Sequence, residues 1–162
     1  MAVSSFQTER RVEFCETDMA GIMHFSNFFR WMESAEHAFL RSIGFSVHEE
    51  RDGRLVGWPR VSAHCDYLRP LSFEETVRIE VLVVEVRSRS VRYRFGFWKP
   101  KLGGEALAAV GEIVAVCVAM NAQTRNMEAT AIPEQLREAI EPASAQQLEA
   151  LPLKERTPSQ PA

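Results

Sequence analysis

One strongly apolar helix, set in a chain that otherwise alternates like β-sheet, is the feature that most limits the possible folds. From Asn27 onward Phe28, Trp31, Met32, Ala35, Phe39 and Leu40 recur at three- and four-residue spacing, which predicts a helix. Ser26 or Asn27 can cap its start and Gly44 suits its stop. Arg30, Glu33, Glu36 and Arg41 fill the remaining positions, and a solvated or interface face is expected for the two glutamates. With Phe29 added, the apolar load is too large for a helix lying on a surface. It predicts a helix wrapped by a sheet.

The sheet is legible on both sides of that helix. Residues 6–15 read as a strand, and 60–68, 75–87, 90–99 and 105–120 follow as four more. Val77, Ile79, Val81 and Val83 alternate with polar neighbours, as do Val91, Tyr93, Phe95 and Phe97. The turns at 87–90 and 100–104 are short, which implies antiparallel neighbours. Gly111, inside the last strand, suggests a bulge or a close backbone approach. Residues 45–58 read as a loop, and 132–140 as a short helix with Pro133 in its first turn. The expected class is α+β, a long central helix wrapped by a five-stranded, mostly antiparallel sheet. Residues 1–141 form the one domain, and the Pro-rich stretch 142–162 is expected to be a mobile tail. A single helix cannot cover both faces of such a sheet, so the uncovered edge and face predict a homodimer.

Composition narrows the function classes. The 162 residues carry a formal net charge of -3, which supplies no global basic field for nucleic acid. The longest apolar run, 106–120, is interrupted by Gly111 and Glu112 and is too short to span a bilayer. Residues 1–11 hold no apolar core flanked by basic residues, so a secretory signal is not expected. Cys15, Cys65 and Cys117 are widely spaced and odd in number, which indicates neither a zinc site nor a disulfide framework. A cytoplasmic location with free thiols is the expectation.

The stretch 18–27, Asp-Met-Ala-Gly-Ile-Met-His-Phe-Ser-Asn, places one carboxylate on a loop directly before the helix. A helix N-terminus presents unpaired N–H groups and the positive end of a dipole, so oxyanion charge developing on a carbonyl would find donors there. The plainer reading of Asp18 is a cap or turn carboxylate. Residues 14–33 carry the pattern D-x-x-G-I/V-x-x-x-x-N-x-x-x-W/F across a strand–loop–helix junction, and the likeness continues through 61–71. In this the chain resembles the hotdog-fold acyl-CoA thioesterases of the 4-hydroxybenzoyl-CoA thioesterase family, over roughly residues 5–135.

The resemblance implies that Asp18 acts as nucleophile or as general base toward water. It implies that the Phe25 N–H polarises the thioester carbonyl and that Gly21 keeps the turn open. His24 is a further candidate, to orient Asp18 or to line the acyl pocket; its position is shifted by one from the Tyr-His pair found in some members. Arg87 and Arg89, with Ser90 beside them, fall where basic residues meet the phosphates of CoA, and Arg125 falls near another such position. Trp58, ahead of Pro59, is the candidate for touching the acyl group. The family assembles as dimers, often paired into tetramers, with sites at the dimer interface. The substrate is an acyl-CoA; no metal or other cofactor, nucleic acid or membrane is expected. Two alternatives remain, a non-catalytic acyl-thioester binder and a hotdog hydratase or dehydratase, although no H-x-x-D loop of the latter kind is present. The adjacent His64 and Cys65 point to opposite faces of a strand and are expected to be structural.

Overall fold

The computed structural model describes residues 1–154. The chain runs β1 (Ser5–Arg11), a single 3-10 turn (Phe14–Glu16), α1 (Asn27–Ser42), β2 (Glu49–Arg51), β3 (Arg54–Gly57), β4 (Arg60–Tyr67), β5 (Thr76–Val86), β6 (Ser90–Lys101), β7 (Gly104–Val116), β8 (Val118–Met120), β9 (Met127–Ala129), α2 (Glu134–Ala139) and α3 (Ala145–Glu149). Five strands form one antiparallel sheet in the order β1-β5-β6-β7-β4. No helix among the described residues is long and apolar enough to cross a membrane.

Helix α1 lies on one face of this sheet, the arrangement that the resemblance implies. Phe28, Trp31, Met32, Ala35, Phe39 and Leu40 are buried against Val77, Ile79, Val81, Val83, Val91, Tyr93, Phe95 and Phe97, the alternating positions of β5 and β6. Full burial of side chains of this size contributes about 1.5–3 kcal/mol each. The helix sits very close to β7. A Cβ built on Gly111 would lie 2.2 Å from Met32 Sδ, so this glycine is a close approach, while the register through Cys65, Gly111 and Phe95 runs without a bulge.

At 16 residues, about 24 Å, α1 is shorter than the long helix expected. Its end is set by Gly44 at φ 84°, with the Phe45 N–H returning to the Leu40 carbonyl and the Gly44 N–H to that of Arg41. At its start, Ser26 occupies the cap position without a side-chain cap bond, and Asn27 turns its amide elsewhere.

Three expectations about the strands change. Residues 45–58 are not all loop: β2 and β3 form a hairpin that joins β8 and β9 in a second, four-stranded sheet. The first strand ends at Arg11, because the chain turns at Val12, which exchanges bonds with Glu74 and Glu75. The strand expected over 105–120 breaks at Cys117, which separates β7 from β8.

The outer face of the large sheet is not bare. Glu112 pairs with Arg92 at 2.7 Å and Arg94 at 3.1 Å, and Arg78 pairs with Glu105 at 2.7 Å. Residues 142–154, expected as the start of a mobile tail, cross this face instead. Leu151 and Ala143 are buried with Leu82 and Val110, and Trp98, Leu107, Leu148 and Leu153 flank them. Arg94 donates to the Leu151 carbonyl at 3.2 Å, and the Lys154 N–H to Asp66 at 2.8 Å. Pro158 and Pro161, in the remainder of that stretch, lie outside the described residues. The case for a homodimer therefore loses the bare face and keeps the edge: β4 is an outer strand, with Val61 and Tyr67 exposed.

Candidate active site

The Asp18 loop is a small closed hairpin. Thr17 bridges Met23, the Asp18 N–H donates to the Ile22 carbonyl at 2.9 Å, and the Gly21 N–H returns to the Asp18 carbonyl at 3.0 Å. Gly21 stands at φ 76°, the left-handed region that a side chain would strain. Asp18 Oδ1 accepts the Ala20 N–H at 2.8 Å, the bond of an Asx turn. One carboxylate oxygen thus does the plain turn-forming work, and among the described residues Oδ2 has no hydrogen bond. The loop is pinned from below, where the Met23 N–H donates to the Leu71 carbonyl at 2.7 Å.

The loop then feeds directly into α1. The Asn27 N–H donates to the His24 carbonyl at 3.0 Å and the Phe28 N–H to that of Phe25 at 3.3 Å. The Ser26 N–H is taken by His24 Nδ1 at 3.3 Å, and His24 Nδ1 lies 2.7 Å from Ser26 Oγ. His24 is therefore turned toward Ser26 rather than toward Asp18. The Phe25 N–H, at the head of this turn, donates no hydrogen bond among the described residues. It is an open donor at the positive end of a helix.

An open cleft of about 500 Å³ brings these pieces together. Asp18, Ile22, Met23, Phe25, Phe28 and Tyr67 line it, with residues 68–71 closing the far wall. The lining is mostly apolar and Asp18 is its one acidic group, which suits an uncharged acyl chain or ring brought beside a carboxylate. Phe28 packs edge-on to Tyr67 and to Phe97, at centroid distances of 5.0 and 5.2 Å. The Tyr67 hydroxyl donates to the Phe25 carbonyl at 3.1 Å. Partial burial, with Cys65 alongside, pushes the Tyr67 phenol up to about 12, so it remains a neutral donor near pH 7.

The other candidates stand elsewhere. Trp58 is buried ahead of β4, and Pro59 beside it accepts from the Val116 N–H. Arg87, Arg89 and Ser90 form the β5–β6 turn, where Ser90 pairs with Val116, and Arg87 is joined to Glu85 at 2.9 Å. Arg125 sits in the β8–β9 turn at φ 56°. All of these lie toward the Arg60 end of β4, whereas Asp18 lies at the Tyr67 end, about 23 Å away along an eight-residue strand. Within the chain none of them lines the cleft.

Of two polar groups near the helix, Glu16 was not singled out by sequence reasoning and Glu36 was assigned to the wrong environment. Glu16 ties the loop to α1 through several hydrogen bonds. Glu36, expected on a solvated or interface face, is 1% exposed and lies 2.5 Å from Arg60, which also donates to the Trp58 carbonyl. Burial pushes the Glu36 carboxyl up to about 7, against the pull of Arg60. The signal for Glu36 was present: it lies four residues after Met32 and eight after Phe28, on the apolar stripe itself. Cys65 is turned toward the α1 face, and burial pushes its thiol up to about 12.

Comparison with known proteins identifies the fold and the family. The chain is similar to the 4-hydroxybenzoyl-CoA thioesterase of Pseudomonas sp. strain CBS-3, with 27% identity over 103 residues, covering 62% of this chain and 73% of that one. It is 28% identical over 133 residues to the 1,4-dihydroxy-2-naphthoyl-CoA hydrolase of Prochlorococcus marinus strain MIT 9313, covering 77% and 82%. Among solved structures, a gentisyl-coenzyme A thioesterase superposes with a TM-score of 0.70 at 30% identity, over 84% of this chain and all of that one. A 4-hydroxybenzoyl-CoA thioesterase in complex with 4-hydroxybenzoyl-CoA shares the hotdog fold, with a TM-score of 0.75 at 23% identity, over 86% of this chain and all of that one. Residues 12–140, which hold the loop, α1 and all of β4 to β9, match the model of the thioesterase-like superfamily, and the chain belongs to that superfamily.

Proposed function

We propose that this protein is an acyl-CoA thioesterase that hydrolyses an acyl-CoA to a free acid and CoA. The observation that carries the reading is the pairing of the Asp18 carboxylate with the open Phe25 N–H on one apolar cleft. Three of the relatives, each named as a thioesterase or hydrolase of a CoA ester, support it.

In this reading the thioester carbonyl oxygen points at the Phe25 N–H and the acyl group lies among Phe28, Tyr67 and Leu71. Asp18 takes a proton from water as its oxygen bonds to the acyl carbon, or it attacks that carbon itself and the resulting anhydride is then opened by water. In either route the C–S bond breaks, the sulfur leaves as the CoA thiolate and the acyl group leaves as the acid. A thiolate departs readily, so one carboxylate and backbone donors suffice and no metal or redox cofactor is needed. A single oxyanion donor typically contributes about 10²–10³ in rate, so a helix end can supply much of the catalysis without a conspicuous side chain.

The separation of Trp58, Arg87, Arg89 and Ser90 from Asp18 fits a two-chain site. An exposed edge strand pairs most simply with a second copy of itself, antiparallel about a two-fold axis. Such pairing of β4 sets the Arg60 end of one copy beside the Tyr67 end of the other. The basic turn of one subunit then meets the CoA phosphates at the other's cleft, with Trp58 nearer the acyl group. Release of free thiol from a panel of acyl-CoA esters tests the reading, and saturable binding without thiol release would support the non-catalytic alternative instead.

A further inference from the structure

Glu16 accepts five hydrogen bonds. Its Oε1 accepts from Trp31 Nε1 at 2.7 Å and from Arg10 at 3.3 Å, and its Oε2 accepts the Glu13 N–H at 3.0 Å. Its backbone carbonyl accepts the His24 N–H and the Asn27 Nδ2, each at 2.8 Å. Trp31 is fully buried and Asn27 nearly so, which fixes both of those donors within α1.

These bonds connect the two halves of the site. Glu16 lies two residues before Asp18, and the residue held by its carbonyl, His24, lies immediately before Phe25. The outermost rung of the Asp18 hairpin is therefore also the joint between the loop and the helix start. Inside it come the Thr17–Met23 bridge and the Asp18–Ile22 bond. A tilt of the Glu16 peptide displaces His24 and, with it, the Phe25 N–H relative to the Asp18 carboxylate. Its side chain resists that tilt, because the carboxylate is held by a buried indole, a guanidinium and a backbone amide together.

We infer that Glu16 is a positioning residue for the reaction: its carboxylate, anchored to Trp31 and Arg10, sets the carbonyl that holds the oxyanion donor opposite Asp18. This rests on the thioesterase reading. Glu16 itself does not line the cleft. Its contribution is geometric, and a displacement of about 1 Å at a reacting centre can cost about 10²-fold in rate.

The test uses the full chain and an acyl-CoA that the wild type hydrolyses, with kcat, KM, Tm and amide exchange over residues 19–27 measured for each variant. Glu16→Ala is expected to lower kcat by about 10- to 100-fold with KM within about twofold, at a temperature well below its Tm. The His24 amide should exchange faster. Glu16→Gln, whose amide oxygen still accepts from Trp31, should recover most of the lost kcat. Should Glu16→Ala fail to fold, Trp31→Phe and Asn27→Ala each remove one bond from the far end and should lower kcat by about three- to tenfold, again with little change in KM. A folded Glu16→Ala with wild-type kcat, or a Gln variant no better than Ala, overturns the inference while the thioesterase reading stands. A wild type that releases no thiol from any ester overturns that reading, and this inference falls with it.

Discussion

The hydroxyl of Tyr67, at the end of the edge strand β4, donates to the backbone carbonyl of Phe25 at 3.1 Å, 42 residues away in the chain. One side chain thus joins the exposed edge of the sheet to the turn that leads into the helix, and both residues line the cleft. The same ring packs edge-on against Phe28. Tyr67→Phe keeps the ring and removes the bond. Because the bond is partly exposed, Tm should change little, while kcat/KM for acyl-CoA should fall by about three- to tenfold as the Phe25 peptide loosens. Steady-state kinetics beside a thermal melt separates the two effects.

Glu36 makes the stability of the protein depend on pH. Folding raises its carboxyl from 4.5 to about 7. The folded state keeps this proton through a window in which the unfolded chain has released it. Its contribution is therefore fully present below pH 4.5 and is lost as pH rises toward 7. The loss is on the order of 3 kcal/mol at most. Urea unfolding of wild type and Glu36→Gln from pH 4.5 to 7.5 should show this slope in the wild type and a flatter profile in the variant.

The segment after α2 is held by shape. A Cβ on Gly96 would stand 2.4 Å from Leu151 Cδ2 and 3.0 Å from Trp98 Nε1. Leu151→Ala should cost about 2–5 kcal/mol by opening a cavity beside Leu82 and Val110, and Gly96→Ala about 1–3 kcal/mol by overpacking. Both should leave kcat unchanged in the folded protein, since the Asp18 cleft lies on the other side of the sheet. Denaturant melts with parallel activity assays check this.

Assembly through β4 makes a separate claim. Val61 is 63% exposed on that strand. Val61→Arg should convert the species seen by light scattering to a monomer. Thiol release should fall at least tenfold with it, because the Arg87–Ser90 turn would then reach no cleft. A fully active monomer would show that one chain completes the site.

The order of the large elements could be read in advance because it rests on local periodicity: the apolar stripe of α1 and the alternation in β5 and β6 each appear within a dozen residues. The Asp18–Phe25 junction was equally legible, since a carboxylate, a glycine and a helix start are neighbours in sequence. Several features were not. The β2–β3 hairpin was hidden because its seven strand residues carry no clear alternation and are stabilised by pairing with β8, some sixty residues later. Leu151 sat in a stretch whose prolines suggested mobility, yet its burial depends on Gly96, a position that gives no signal until the two meet. Glu36 broke the rule that charge faces solvent, and its partner Arg60 comes from another element.

The central claim is that Asp18 is the catalytic carboxylate. Steady-state release of CoA thiol by wild type and Asp18→Asn, over a panel of aromatic, short-chain and long-chain acyl-CoAs, tests it most directly. Asn keeps the size of the side chain and an oxygen to accept the Ala20 N–H, so the loop should hold its shape. The account predicts a folded variant that binds its best ester with KM or Kd near wild type and turns it over at least about 10³-fold more slowly. A folded Asp18→Asn with unchanged turnover would contradict it.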